Sequence, residues 1–166
     1  MTGVFEKNPA AREVLPFSLL KGGVSCGTLT EVCGVDGRGK TEFVLRFLAE
    51  NRKARVAWIE EELTIYPCAF AQYGVALDRV LFVEAEKEAF WTAQQVLRSR
   101  LFKIVVLSAR QNEAIELRRL QLAAEQSSTA LILLSQKPTT QGAWPIGLQV
   151  EVHRPQLRIL KNRGIK

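Results

Sequence analysis

The sequence has little with which to crosslink itself or to hold a metal. Its 166 residues include one histidine and three cysteines, Cys26, Cys33 and Cys68. The cysteines are odd in number and have neither CxxC nor His-paired spacing, which argues against a disulfide framework or a zinc site and for a reducing compartment. Long apolar runs are missing as well. Nowhere do about 18 apolar residues follow one another, so no spanning helix is expected. The opening MTGVFEKNPAAREVLPF has acids and a proline where a secretion signal has a continuous apolar core. The chain is therefore expected to be soluble, unprocessed and cytoplasmic, with no membrane partner. Neither an internal repeat nor a low-complexity tract occurs, which excludes repeat architectures.

What is present is enough for one core. Hydrophobic residues make up 47% of the chain, and a chain of this length is expected to form a single domain over residues 1–166, with residues 1–27 as an irregular lead. Lys plus Arg outnumber Asp plus Glu by 23 to 17, a net charge of +6. That excess favours an anionic partner such as nucleotide or nucleic acid.

The order of apolar patterns specifies the fold class. Thr28 to Cys33 is β-rich and ends at a glycine loop, and from Thr41 the residues Phe43, Val44, Phe47 and Leu48 recur at helical spacing until about Asn51. ARVAWIE is a short buried strand running into the acids Glu60, Glu61 and Glu62, and YPCAFAQYG is a small helix or turn. DRVLFVEA, KIVVLSA and TALILLSQ are further strands, separated by the helices EKEAFWTAQQVLRSRLF and NEAIELRRLQLAAEQ. In the latter, Leu117, Leu120 and Ala124 share one face. Continuously apolar strands alternating with helices predict an α/β fold of three layers, with a mostly parallel sheet covered on both faces. The loop KPTTQGAWPIG then leads to LQVEVH and QLRILKN, two strands split by Arg-Pro, which predict a C-terminal antiparallel strand pair. In such sheets ligands bind at the carboxyl ends of the strands.

One of those ends carries a phosphate-binding pattern. GVDGRGKT, the residues Gly34, Val35, Asp36, Gly37, Arg38, Gly39, Lys40 and Thr41, fits GxxxxGK[ST] between a predicted strand and a predicted helix. Glycines let the backbone curl its N–H groups inward, and the helix amino terminus adds partial positive charge. Lys40 is expected to reach the β and γ phosphates of ATP or ADP, and the Thr41 hydroxyl to coordinate magnesium (Mg2+).

At this point the chain resembles the RecA family of recombination ATPases. LTEVCGVDGRGKT resembles the family's first strand and phosphate loop, and AWIEEELTIYPCAFAQYGVALDRVLF its acidic strand end with the connection that follows. LILLSQ is similar to the strand that ends in a phosphate-sensing glutamine, and LRILKNR to a late strand with a basic ending. The resemblance implies a RecA-like P-loop fold, with Glu62 as catalytic carboxylate, Glu60 in the place of an aspartate, and Gln136 as sensor of the γ phosphate. Three acids at a strand end also suit a solvated loop or helix cap, and Gln136 an ordinary polar sheet edge. Lys161 and Arg163 match basic residues that act across a subunit boundary. A backbone contact to DNA is the alternative reading of the same tail. Lys137 and Trp144 lie in what resembles a shortened second DNA loop, as phosphate contact and stacking surface, although Trp144 also suits a core cover.

The departures shape the functional expectation. Leu107 stands at the position where the family holds the metal with an aspartate, with neutral Ser108 beside it, so Mg2+ affinity and hydrolysis are expected to be weakened. The first DNA loop is missing between SARQ and the next helix, and the amino-terminal segment is too short for a polymerisation arm. The chain thus resembles a trimmed RecA core of the ImuA and SulA-like kind. The leading expectation is an ATP-binding accessory factor of DNA repair or the damage (SOS) response, with a protein partner, possible DNA contact and weak self-association. The alternatives are a non-catalytic interaction module, such as a division inhibitor, and an active recombinase, which the loop losses disfavour.

Overall fold

The computed structural model describes residues 11–110, 114–139 and 145–163. Two short strands, β1 (Val14–Leu15) and β2 (Val24–Ser25), precede strand β3 (Leu29–Cys33) and helix α1 (Lys40–Glu50). There follow β4 (Val56–Glu60), α2 (Pro67–Gln72), β5 (Val80–Glu84), α3 (Ala89–Ser99), β6 (Ile104–Ser108), α4 (Ala114–Ser127) and β7 (Ala130–Ser135). The described chain closes with β8 (Ile146–His153) and β9 (Gln156–Asn162).

These strands form a central sheet in the order β5-β4-β6-β7-β3-β8-β9. Each neighbouring pair is parallel except β8 and β9, which are antiparallel. The fold is therefore α/β with a mostly parallel sheet and a terminal antiparallel pair. Residues of β3, β4 and β7 are buried throughout, because helices cover both faces and leave no solvated side.

Strand alternation divides the core into two layers. Val56, Trp58, Ile104 and Val106 face one layer with Phe43, Phe47 and Leu48 of α1 and Phe70 of α2. Ala57, Ile59, Val105 and Leu107 face the other with Ala93 and Leu97 of α3 and Leu117 and Leu120 of α4. Trp58, Phe47 and Phe70 are among the largest fully buried side chains, each stabilising the fold by about 1.5–3 kcal/mol. Trp58 meets the Phe70 ring edge to face at 5.3 Å, an arrangement that adds to the burial term.

Of the lead expected to be irregular over residues 1–27, residues 11–27 are described, and they are mostly turn and loop with one short strand pair. β1 and β2 pair antiparallel, Val14 with Ser25 and Leu15 with Val24. Leu15, Phe17, Leu20, Val24 and Cys26 are all buried. The physical reason is a pocket of aromatic surface on α1, where the Phe17 ring packs 4.9 Å from Phe43 and 5.4 Å from Phe47. The Asn51 amide at the end of α1 donates to the Pro16 carbonyl at 2.9 Å and fastens the segment. Strand β8 also starts earlier than expected, at Ile146. Residues 140–144, and with them Trp144, lie outside the described residues.

Candidate functional site

The site grows from the end of the central strand β3. Gly34 follows Cys33, its N–H donates to the Ser135 carbonyl at the end of β7 at 3.0 Å, and a Cβ at Gly34 would stand 2.4 Å from the Val152 carbonyl oxygen. Only glycine fits there. The loop then reaches Gly39, whose φ of 101° marks a left-handed turn into α1, a conformation glycine adopts without steric cost. No side chain caps that helix, so the N–H groups of its first turn point out of the loop as an anion-binding end. The hairpin joining β8 and β9 braces the loop from behind. The Arg154 N–H donates to the Arg38 carbonyl at 3.0 Å, and the Arg154 guanidinium pairs with Glu42 at 3.0 Å.

Lys40 is buried at the centre of this arrangement, only 8% exposed. Its ammonium donates to the Gly34 carbonyl at 3.0 Å, the Ser135 carbonyl at 3.2 Å and Asp36 Oδ1 at 3.0 Å. The other Asp36 oxygen accepts from Gln136 Nε2 at 2.8 Å. The Lys40 hydrogen bond first, with Lys40's charge and the Gln136 bond assisting, holds the Asp36 carboxyl below the usual carboxylate range. The motif lysine and the glutamine after β7, read from separate parts of the sequence, therefore meet on one carboxylate.

Beside them opens a cleft of about 650 Å³, lined by Asp36, Lys40, Glu62, Ser108, Gln136 and Lys137 among others. The three acids at the end of β4 have different environments. Glu60 is buried and accepts from Trp58 Nε1 at 2.8 Å, the Thr64 N–H at 2.6 Å and the Ile65 N–H at 3.2 Å. It is a staple for the turn out of β4. Glu61 accepts the Arg110 N–H at 3.0 Å. Glu62 is 73% exposed and lies 3.6 Å from the Arg110 guanidinium, at the mouth of the cleft.

Leu107 and Ser108 point to opposite sides. Leu107 is fully buried in the layer under α3 and α4, whereas Ser108 lines the cleft. Among the described residues, no group of three or more His, Cys, Asp or Glu is placed to hold a metal ion by itself. Lys161 and Arg163 are not among the residues lining the cleft. Lys161 is in β9 at the far edge of the sheet, opposite Gln149 of β8, and Arg163 follows the strand with its N–H on the Gly147 carbonyl at 2.9 Å.

Sequence reasoning passed over Glu31. It is fully buried in β3 and accepts from Ser135 Oγ at 2.8 Å, Thr139 Oγ1 at 2.6 Å, the Thr139 N–H at 3.1 Å and the Gln149 amide. A lone glutamate inside an apolar strand was the available signal. Its effect is to anchor the segment after Gln136 to the central strand.

A glycine loop between a central parallel strand and a helix, with a buried lysine and a strand-end glutamine converging on it, defines the class of phosphate-loop α/β proteins with a RecA-like fold. No protein-family profile matches the chain. Over 105 residues it is 28% identical to the mitochondrial DNA repair protein recA homolog of Dictyostelium discoideum, covering 61% of this chain and 23% of that protein. It is 29% identical to protein RecA of Fusobacterium nucleatum over 108 residues, 63% of this chain and 29% of the relative. With protein RecA of Xanthomonas campestris it shares 30% over 105 residues, 61% of this chain and 31% of the relative. These similarities support a relationship to the RecA family, and the chain spans less than a third of the length of these relatives.

Proposed function

We propose that this chain is a RecA-like, single-domain ATP-binding protein that serves as an accessory factor in DNA repair or the DNA-damage response. The observation that carries the reading is the convergence of buried Lys40 and Gln136 on the glycine loop at the end of β3. The phosphates of ATP or ADP fit this donor set: the amides of the first turn of α1, the Lys40 ammonium and the Gln136 amide all donate, and phosphate oxygens only accept. Mg2+ would be held by phosphate oxygens, water and the Thr41 hydroxyl, supplying charge neutralisation at the phosphates when bound. Leu107, expected at the metal position, faces away from the cleft, and Ser108, which lines it, is neutral, so β6 adds no carboxylate to that shell and hydrolysis is slow. Glu62 orients the attacking water from the cleft mouth, and Gln136 relays the presence of the γ phosphate to the segment that Glu31 anchors.

Only five residues of sequence lie between Ser108, the end of β6, and Ala114, where α4 is first described, a spacing that suits a helper better than a strand-exchange recombinase. Among the described residues no helix is long and apolar enough to cross a membrane. A partner in damage tolerance, of the kind that ImuA-like proteins assist, is the reading we favour, with Lys137 as a DNA phosphate contact. The pairing of Arg110 with both Glu61 and Glu62 favours a second reading, a non-catalytic interaction module on the same scaffold.

Thermal melting with ATP and magnesium separates the two. Ligand at about a hundred times its dissociation constant should stabilise the fold by about 2.7 kcal/mol. Lys40→Ala should erase that increment even though it melts lower by itself, since the buried Gly34 carbonyl loses the Lys40 donor and the Ser135 carbonyl keeps only the Gly34 N–H. An unchanged increment in the variant, or none in the wild type, rejects the ATP-binding reading.

A further inference from the structure

The nucleotide reading leaves unexplained why a carboxylate of the loop occupies both groups assigned to the phosphates. Lysine has three N–H donors. In Lys40 two of them are on the Gly34 and Ser135 carbonyls, at the ends of β3 and β7, and the third is on Asp36. The carbonyls are fixed by the sheet. Asp36 is not: its side chain is 71% exposed, and it is followed by Gly37, where a Cβ would find nothing within 4 Å. A phosphate oxygen can therefore gain a proton of Lys40 most readily by taking the place of Asp36 Oδ1.

The same holds on the other side. Gln136 Nε2 donates to Asp36 Oδ2 at 2.8 Å, so one planar anion bridges an ammonium and an amide with two acceptor oxygens. A terminal phosphoryl group is also an anion that presents acceptor oxygens to both donors. We propose that Asp36 is a specificity-determining residue, a built-in competitor that occupies the place of the terminal phosphoryl group between Lys40 and Gln136. The proposal rests on the ATP-binding reading and assigns that site its preference between phosphate chains. A diphosphate that reaches Lys40 breaks one Asp36 contact, whereas a triphosphate that reaches Gln136 as well breaks both. Asp36 thus handicaps the triphosphate more than the diphosphate, and its release frees Gln136 when the longer chain binds.

Asp36→Asn keeps the size of the side chain and removes its charge. Titration calorimetry of wild type and variant with ATP and with ADP reads the effect. The variant should bind ATP about tenfold tighter and ADP about threefold tighter, a range discounted for the exposure of the pair. Its melting point without ligand should fall slightly, since the Lys40 ammonium keeps an acceptor but loses its anionic partner. Equal or weaker ATP binding by Asp36→Asn overturns the proposal, as does an equal gain for both nucleotides. Inorganic tripolyphosphate and pyrophosphate, run in the same series, separate it from the reading beneath it. If these bind, with the triphosphate favoured by Asp36→Asn, while neither protein binds ATP or ADP, Asp36 keeps its role and the nucleotide reading falls.

Discussion

Cys33 is the last residue of β3, directly before the glycine loop, and its environment sets a pH limit on the fold. Burial, then the carboxylates of Glu31 and Glu151, push its thiol from an ordinary 9.0 up to about 12. In the unfolded chain the thiol ionises from about pH 9, whereas the folded chain keeps the proton until about 12. Across that window the unfolded state binds fewer protons, so Cys33's contribution to stability is complete below pH 9 and is lost as pH rises towards 12. Urea midpoints measured on both sides of pH 9 should fall with pH in the wild type and fall less steeply in Cys33→Ala. The variant starts about 1 kcal/mol lower because of the small cavity it leaves. Parallel slopes for the two proteins would remove Cys33 as the cause. The thiol's position was readable from the sequence, at the end of a β-rich run. Its perturbation was not, because that depends first on burial and then on Glu31 in the same strand and Glu151 in β8, which pairs with β3.

At the scale of the element, β6 decides how a metal is met. Strand alternation turns Leu107 into the layer under α3 and α4 and Ser108 into the cleft, so a carboxylate introduced at Leu107 would be buried in an apolar layer at high cost. Placed at Ser108, the carboxylate would share the cleft with Lys40 and Thr41's loop. Ser108→Asp should raise magnesium-dependent phosphate release by about tenfold, and Glu62→Gln should lower it in both backgrounds. Brisk wild-type release insensitive to either change would refute both assignments. The long elements were legible because their signals are local: the apolar runs of β4, β6 and β7 and the spacing of Phe43, Val44, Phe47 and Leu48 in α1 each imply a buried strand or a one-sided helix. β1 and β2 were not, since strands of two residues have no period, and what holds them is a distant aromatic face on α1. Of the site, the loop and Lys40 were legible from the glycine spacing and Gln136 was marked only through the RecA resemblance, while the meeting of Lys40 and Gln136 on Asp36 and the staple role of Glu60 required the register of β4, β7 and β3.

At the scale of the whole molecule, charge is divided along the sheet. Glutamates, Glu84, Glu86 and Glu88 among them, outnumber the cations Lys87, Arg110 and Arg119 in one groove near the β4 and β5 edge, while β9 at the other edge continues into Arg163, in a chain of net charge +6. Burial and then the charge of Arg163 lower the pKa of the Lys161 ammonium, so the two cations lie within electrostatic reach of each other, and one phosphate could contact both. Either a neighbouring copy's nucleotide or a DNA backbone can supply the phosphate. We expect DNA, because trans action needs self-association, whereas a backbone contact needs only the charged edge. The double variant Lys161→Ala/Arg163→Ala should bind single-stranded DNA more weakly, and its affinity should depend less steeply on salt, by about 0.7 in the logarithmic slope for each lost contact. Sedimentation of both proteins with and without ATP completes the test. ATP-dependent oligomers that disappear in the variant, with DNA binding and its salt slope unaltered, would assign the edge to a neighbouring subunit instead.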